Sequence, residues 1–241
     1  MQGIKRYIRR RSSLAEIIIL LVGIAISAIW HNNAVAVGIG CSIISTAIVV
    51  FMTDVLLGTE EEEEARKWGL EGVYRTRGEM NNSCDAYLKS AKSIDIIAFG
   101  LRSFRDSQLK AVERILRKNG TIRIITMRPG CDNLVKRESD EHQPEGHISQ
   151  EIKDLIEWVQ KLNSKGHKGK IEIRFHDHQP QNFLFLMNNR MYTGPYVYHK
   201  ESQQTLSFEY NNFGTAYEYY TNYFNELWND PDFCSESLTK E

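Results

Sequence analysis

The residues best suited to chemistry form a short run, His176, Asp177 and His178, at the end of a predicted strand. Imidazole and carboxylate groups act as nucleophiles, as general acids and bases, and as metal ligands. In open α/β sheets ligands commonly bind at the carboxyl ends of strands, which is where this run lies. We expect His176 and His178 to face in opposite directions, which weakens the case for joint action and leaves a polar loop as the alternative. If the protein is an enzyme, these two histidines are its candidate catalytic residues.

Two arginines follow two predicted strands, Arg102 after residues 94–100 and Arg128 after residues 121–127. Because neighbouring parallel strands end at the same edge of a sheet, we expect both guanidinium groups to lie beside one crevice, where they would bind phosphate. The alternative is that each arginine forms an ordinary surface salt bridge. Further candidate ligand-binding residues are His178, Asn182, Tyr192 and Tyr196.

The composition argues against several other kinds of site. The four cysteines, Cys41, Cys84, Cys131 and Cys234, lack metal-ligand spacing, so we read them as structural and predict neither a metal nor another cofactor. The formal net charge is −1, and five basic residues precede the first apolar run, so the rest of the chain is mildly acidic. We therefore expect no non-specific binding of nucleic acid.

The elements that must position these residues alternate between helix and strand from residue 69 onward. Apolar runs bounded by glycine or proline predict strands, and a 3.6-residue period predicts helices, whereas residues 69–75 and the polar residues 131–148 are predicted to be irregular. The predicted helices cover residues 82–92, 107–118, 149–162 and 215–229, and the predicted strands cover residues 94–100, 121–127, 170–175, 182–187, 190–196 and 205–210. This order predicts an α/β fold, a mixed sheet with helices on both faces.

Two uncharged apolar runs precede this part, at residues 17–30 and 34–53, with only three residues between them. Twenty helical residues span about 30 Å, the thickness of the hydrocarbon core of a bilayer. So short a connection makes the two helices antiparallel, and we predict a two-helix transmembrane hairpin over residues 14–57. A cleaved signal peptide is the alternative, but no small-residue cleavage site follows the first run.

The basic segment 1–13 predicts a cytoplasmic N-terminus, and the hairpin then returns the rest of the chain to the cytoplasm. We predict an acidic linker helix over residues 58–68, a soluble domain over 69–233 and a tail over 234–241. Small residues at four-residue spacing predict close helix packing, within the hairpin or between hairpins. These residues are Gly23, Ser27, Gly38, Gly40 and Ser42.

Residues 94–126, with Arg128 and Pro129 after them, resemble the first half of a phospholipase D-like domain, and the resemblance extends over residues 69–229. It implies an α/β fold and a His-x-Lys pair, in which the histidine attacks a phosphodiester and the lysine holds the phosphate oxygens. In this chain Gln181 and Phe183 occupy those two positions. We therefore expect a degenerate domain that binds a phosphate-bearing ligand without hydrolysing it.

A short chain with two spans and one cytoplasmic domain also resembles bacterial anti-phage effectors that disrupt the inner membrane. This resemblance implies a homo-oligomer in the lipid bilayer of the bacterial inner membrane. It also implies a cytoplasmic domain that senses a nucleotide or a companion defence protein. Two alternatives stay open: a membrane-tethered phosphodiesterase that acts on lipid or nucleic acid, and a non-catalytic scaffold.

Overall fold

The computed structural model describes residues 17–56 and 60–236. The chain divides into two compact units, Met1–Ala65 and Arg66–Glu241. The predicted basic segment 1–13 lies outside the described residues, as do residues 14–16 of the first predicted span and the start of the predicted acidic linker. The boundary between the units lies within the predicted linker. The second unit, called the α/β unit below, contains its own hydrophobic core.

The first unit contains two apolar helices, α1 (Ile17–Ile29) and α2 (Ala34–Leu56). The side chain of Asn33 caps α2, because its Oδ1 accepts hydrogen bonds from the backbone N–H groups of Val35 at 3.1 Å and Ala36 at 3.3 Å. Within the described residues, only α2 is long and apolar enough to cross a membrane, with a mean hydropathy of 2.4 over 19 residues. The shorter α1 does not reach that length in the part that the structure describes.

Small residues bring α1 and α2 together. A Cβ atom on Gly40 would overlap Ser27 Oγ and would lie 2.8 Å from the carbonyl oxygen of Gly23, so only glycine fits there. A Cβ atom on Gly38 would meet nothing within 4 Å, and Ser42 is exposed. Gly23, Ser27 and Gly40 therefore form the contact between the two helices. Gly38 and Ser42 lie on the opposite side of α2 and take no part in it, so of the two predicted kinds of packing only contact between hairpins stays a prediction for them.

The second unit is built on one mixed sheet of seven strands in the order β1-β7-β6-β5-β2-β3-β4. Strands β2, β3 and β4 are parallel, and all other neighbours are antiparallel. The strands are β1 (Leu70–Tyr74), β2 (Ile94–Ile97), β3 (Thr121–Met127), β4 (Lys170–His176), β5 (Asn182–Met187), β6 (Arg190–Pro195) and β7 (Ser207–Asn211). The predicted α/β class with a mixed sheet is confirmed.

Alternate residues of the central strands face two different cores. Ile96 of β2 belongs to a core that it shares with three helices, α4 (Arg77–Leu88), α6 (Leu109–Arg117) and α8 (His147–Asn163), whereas the next residue, Ile97, faces α9 (Thr215–Asn229). This alternation explains why the strand is almost continuously apolar. The remaining helices are α3 (Glu60–Lys67), α5 (Arg102–Ser107) and α7 (Asp132–Asp140), with a 3₁₀ turn at Ser202–Gln204.

Two segments predicted to be irregular are regular elements. Residues 69–75 contain β1, which pairs with β7 and has a register shift between Leu70 and Gly72. Residues 131–148 contain α7, whose buried face carries Leu134, Arg137 and Glu138. The prediction failed at α7 because two of these inward residues are charged, so the helix lacks an apolar period.

The residues that follow α9 pack against β4, the edge strand of the sheet. Ser235 pairs with Phe175 of β4 through two backbone hydrogen bonds, of 2.7 and 2.9 Å. Cys234 is buried beside them, at 3 % exposure. The predicted tail over residues 234–241 is therefore wrong at its start, because residues 234–236 pack as part of the α/β unit.

Candidate functional site

A cavity of about 420 Å³ lies at the carboxyl end of β2. Small-molecule sites in proteins begin at roughly this volume. One face of α4 forms its floor, because Arg77, Met80, Asn81, Cys84 and Asp85 recur at helical spacing. The other walls come from α5, from the start of α8 and from residues 201–203, which connect β6 to β7.

The lining combines an apolar body with a small number of hydrogen-bonding groups. The aromatic rings of Phe99, Phe104, Phe185 and Tyr196 line the cavity, and so do the amide side chains of Asn81, Gln108, Gln143 and Gln203. Leu101, which also lines it, has a left-handed backbone with φ of 54°. Such a conformation is unfavourable for leucine, and strained backbone of this kind is typical of functional sites.

Arg77 lies at the floor of this cavity and is only 7 % exposed. The adjacent Thr76 caps α4, since its Oγ1 accepts a hydrogen bond from the Glu79 backbone N–H at 3.2 Å, and this fixes Arg77 in the first turn. The guanidinium carbon lies 3.7 Å from the ring centre of Phe183 and 4.6 Å from that of Tyr196. These distances are those of cation–π contacts.

Among the described residues, no carboxylate forms a salt bridge with this guanidinium, although the charge of Glu141 acts on it from a longer distance. Nε and Nη2 of Arg77 have no hydrogen-bond partner among the described residues, and the buried hydroxyl of Tyr196 has none either, although the two side chains interact electrostatically. Burial lowers the pKa of Arg77 from its usual value and raises that of Tyr196. Arginine nevertheless stays protonated in proteins, so the cavity floor carries a desolvated positive charge with unused donors.

A second buried arginine, Arg137, also contacts the ring of Tyr196, at 5.4 Å from its guanidinium carbon to the ring centre. Its Nε donates a hydrogen bond to Glu141 Oε1 at 2.7 Å, and its Nη2 donates to the same oxygen. It also donates to the carbonyl oxygens of Val197 at 3.4 Å and Lys200 at 3.3 Å. Arg137 therefore fastens the connection between β6 and β7 that forms one cavity wall.

The structure brings two of the predicted ligand-binding residues, Arg102 and Tyr196, to this cavity. The side chain of Arg102 is 66 % exposed and lies 3.9 Å from Glu151 and 4.0 Å from Asp106. Arg128 is not in the lining. Its Nε donates to Asp177 Oδ1 at 3.0 Å, so the prediction that Arg102 and Arg128 flank one crevice is wrong. Asp177 follows the last residue of β4, and its ion pair with Arg128 holds that side chain outside the cavity lining.

The other predicted ligand-binding residues lie elsewhere. Tyr192 is fully buried, and its hydroxyl lies 3.1 Å from Ser83 Oγ. That hydroxyl belongs to a polar network with Glu209, which accepts a 2.8 Å hydrogen bond from Ser83. Asn182 is exposed at the start of β5, opposite Pro195. Neither Tyr192 nor Asn182 lines the cavity, so they do not join Arg102 in a single site.

The two candidate catalytic histidines share one partner. The rings of His176 and His178 each stack on Phe233 with 5.1 Å between ring centres, so the expectation that they face in opposite directions is wrong. Residues two apart along an extended chain point to the same side. Burial lowers the pKa of His176 to about 4, and its Nδ1 has no hydrogen-bond partner among the described residues. Neither histidine lines the cavity.

The cavity contains one cysteine, and metal-ligating side chains are scattered over the described residues. Cys84 lines the cavity, but burial raises the pKa of its thiol, which therefore stays protonated. Within residues 17–56 and 60–236, no group of three metal-ligating side chains comes together.

Sequence reasoning missed Arg77 because it began the helix at residue 82. A signal was present: Arg77, Met80, Cys84 and Leu88 fall on one stripe of a helix that starts earlier. A cation on an otherwise apolar stripe is unusual, since charged residues are rarely buried without a partner. That stripe would have identified Arg77 as a functional candidate.

No family model matches the chain, and no curated protein does. A solved structure of TrmBL2, described as an archaeal chromatin protein with a novel mode of DNA binding, matches with a TM-score of 0.42 and 13 % sequence identity. The match covers 83 % of this chain and 64 % of that protein. At this level the likeness carries no argument about activity.

One expectation about partners is nevertheless corrected by this match. Composition predicts no non-specific binding of nucleic acid, because the residues that follow the two apolar runs are mildly acidic. The protein that this chain matches is described as DNA-binding, so that exclusion is not kept. Net charge describes the whole surface and says little about a local basic patch, which is why composition alone was a weak basis for it.

Proposed function

We propose that this chain is a membrane-anchored sensor whose α/β unit binds a small phosphate-bearing ligand and controls the assembly of a transmembrane hairpin. The observation that carries the proposal is Arg77, a buried guanidinium at the floor of a ligand-sized cavity, whose Nε and Nη2 have no hydrogen-bond partner among residues 17–56 and 60–236. A buried charge without a partner lowers the stability of a folded protein. A ligand that supplies the missing anion is the physical reason for keeping it.

The proposed phospholipase D-like origin supports binding without hydrolysis. Phe183, at the position that corresponds to the phosphate-holding lysine, is fully buried beneath the guanidinium of Arg77. Gln181, at the position of the nucleophile, is exposed. Its backbone carbonyl oxygen accepts a 2.8 Å hydrogen bond from the backbone N–H of Tyr196. On this proposal Arg77 supplies from α4 the positive charge that the lysine no longer provides.

The proposed membrane part consists of α1 and α2, inserted as a hairpin with both ends in the cytoplasm of a bacterial cell. The contact of Gly23 and Ser27 with Gly40 supports an antiparallel pair, because close approach through small residues stabilises helix pairs in lipid. Ligand binding would favour the assembled state if that state binds the ligand more tightly. Assembly of several hairpins would then disrupt the inner membrane, as in anti-phage effectors.

A membrane-tethered phosphodiesterase is the second candidate, and one observation favours it. Because the pKa of His176 lies near 4, its imidazole is neutral at physiological pH and is therefore in the form of a nucleophile. Against this candidate, His176 is 2 % exposed and its ring is covered by Phe233. Hydrolysis of bis(p-nitrophenyl) phosphate by the purified chain, lost in His176→Gln, would establish the enzyme and remove the sensor proposal.

The membrane role is tested by measuring membrane potential in cells that overexpress the full chain. A high concentration drives assembly by mass action, so we expect the wild type to depolarise the membrane. Gly40→Leu should abolish the effect at equal membrane abundance, since its side chain would overlap Ser27 and Gly23. Val35→Leu is the matched control, because Val35 is 72 % exposed on the same helix. Depolarisation by Gly40→Leu, or none by the wild type, contradicts the proposed mechanism.

A further inference from the structure

We infer that Arg77 anchors a singly charged phosphate group of a small organic ligand, a phosphodiester with an aromatic or similarly apolar body, and that the cavity excludes polyphosphates. This inference rests on the proposed function and deepens it, because it assigns the anchoring residue and the charge class of the ligand. Neither residue spacing nor the phospholipase D-like resemblance places an anchor on α4.

The geometry of Arg77 favours a ligand oxygen over a structural partner. Its guanidinium plane is held by Phe183 on one side and Tyr196 on another, at 3.7 and 4.6 Å, so its orientation is fixed before any ligand arrives. Nε and Nη2 both lack an acceptor. A pair of donors in this fork matches two oxygens of a phosphate or carboxylate group. The Tyr196 hydroxyl, also without a partner, supplies a further donor beside them.

The charges around the cavity set the limit of one negative charge. Asp85, Glu141, Glu151 and Glu201 all line the cavity with Arg77. Of these, Glu141 is matched by Arg137, and Glu151 lies within 3.9 Å of Arg102. The other basic residues of the lining, Arg102 and His147, both lie within 4 Å of Glu151, and Arg102 is 66 % exposed at the rim. Arg77 is therefore the one buried cation of this lining that forms no salt bridge with a described residue. A second or third phosphate charge would meet repulsion in a partly desolvated site, where electrostatic interactions are strong.

The rest of the lining describes the body of the ligand. Phe99, Phe104 and Phe185 provide apolar walls, and the rings of Phe99 and Tyr196 lie 4.6 Å apart as a continuous surface. The amide side chains of Asn81, Gln143 and Gln203 can each donate and accept hydrogen bonds, whereas the amide nitrogen of Gln108 already donates to Asp85 at 2.6 Å. Such a lining suits a planar, partly polar group, and inorganic phosphate alone would leave it unused.

The test measures the thermal unfolding midpoint of the full chain in detergent, followed by tryptophan fluorescence. The probes are diphenyl phosphate, benzoate and pyrophosphate, each at matched ionic strength with sodium chloride as reference. We expect diphenyl phosphate to raise the midpoint by about 3–5 °C at ten times its Kd. Benzoate shares the ring and the single charge but lacks the phosphate, so it should raise the midpoint less. Pyrophosphate should shift the midpoint of the wild type no more than it shifts the midpoint of Arg77→Met.

Arg77→Met keeps the length of the side chain and removes its charge. In ligand-free buffer we expect its midpoint to equal or exceed that of the wild type, because an unpaired buried charge is removed. The shift with diphenyl phosphate should disappear. Arg77→Lys keeps the positive charge but lacks the paired donors of the guanidinium, so it should retain part of the shift. It replaces Arg77→Met as the test if the methionine variant does not fold. Arg117→Met removes an exposed cation of α6 that does not line the cavity, so it is the control and should keep the full shift.

Three outcomes would overturn the inference. A lower midpoint of Arg77→Met in ligand-free buffer together with an unchanged shift would make Arg77 structural. A shift with benzoate but not with diphenyl phosphate would make the ligand a carboxylate, and a specific shift with pyrophosphate would remove the limit of one charge. None of these would affect the depolarisation that depends on Gly40, so failure of the inference is distinguishable from failure of the proposed function.

Discussion

Arg77 and Arg137 are both buried, and both guanidinium groups stack on the ring of Tyr196, yet their surroundings differ completely. Arg137 donates to Glu141 and to two backbone carbonyl oxygens, whereas Arg77 has two nitrogen atoms without an acceptor among the described residues. Arg137 thus joins α7 to the segment that follows β6. Arg77 contacts the rings of Phe183 and Tyr196 but forms no salt bridge with a described residue, and it faces a cavity. The comparison indicates that pairing, and not burial, separates an arginine that holds the fold from one available to a ligand.

His176 shows a third way to accommodate a basic side chain in the interior. Its imidazole is 2 % exposed, and burial lowers its pKa to about 4, so it avoids the charge by giving up its proton. Arginine lacks this option because its guanidinium does not lose its proton in proteins. Only an anion in contact can neutralise Arg77, and the nearby Glu141, whose charge acts on it, is already hydrogen-bonded to Arg137.

The largest expected effect comes from removing the paired arginine. Arg137→Met leaves the Glu141 carboxylate buried without a cation, which should lower the free energy of unfolding by about 3–5 kcal/mol in urea denaturation. Adding Glu141→Gln in the same chain should restore part of this loss, because the buried charge disappears. If Arg77→Met and Arg137→Met destabilise the protein equally, the distinction between the two arginines fails.

The next effect follows from His176 and concerns pH. The pKa of His176 is about 4 in the folded protein and 6.5 when exposed, so the unfolded state binds more protons between these values. Stability should therefore fall as the pH drops from about 6.5 to 4, by about 3 kcal/mol at most.

Urea denaturation at several pH values measures this loss, and His176→Phe should remove most of it while keeping a ring against Phe233. His178→Phe is the control and should preserve most of the dependence, since burial is the main cause of the low pKa of His176. A pH dependence that is equal in the wild type and in His176→Phe would assign the loss to other groups.

The smallest expected effect is that of Arg102→Met. The Arg102 side chain is 66 % exposed and its ion pairs are at 3.9 and 4.0 Å, so the free energy of unfolding should change by less than about 0.5 kcal/mol. The same denaturation series measures it. If Arg102→Met lowered the free energy of unfolding as much as Arg137→Met does, exposed and buried arginines would contribute equally to stability, and the distinction drawn above would fail.

Most of the sheet could be predicted from the sequence, and the reason lies in burial on both faces. Residues 121–127 and 182–187 form apolar runs because each strand contacts one core with alternate side chains and a second core with the rest, and both strands were predicted within their observed bounds. Strand β1 escaped prediction because it is held by pairing with β7, a partner more than 130 residues away in the chain. Local pattern carries no information about such a partner.

The site was harder to predict than the fold. Strand ends correctly located the general region, and Arg102 and Tyr196 do line the cavity. The rule fails at Arg128, because a nearby carboxylate, Asp177, already satisfies it. The strand-end rule also cannot identify Arg77, because that residue lies on a helix. Its importance comes from two nitrogen atoms that have no hydrogen-bond partner among the described residues. The absence of a partner is a property of the folded chain and leaves little trace in local spacing.

The pairing of Ser235 with Phe175 has a practical consequence. β4 is the last strand of the sheet, and an open strand edge is a template for pairing with other chains. The two hydrogen bonds of Ser235 occupy part of that edge. Truncation before residue 234 should therefore promote aggregation of the α/β unit, and an affinity tag is better attached through a long flexible spacer than directly to these residues.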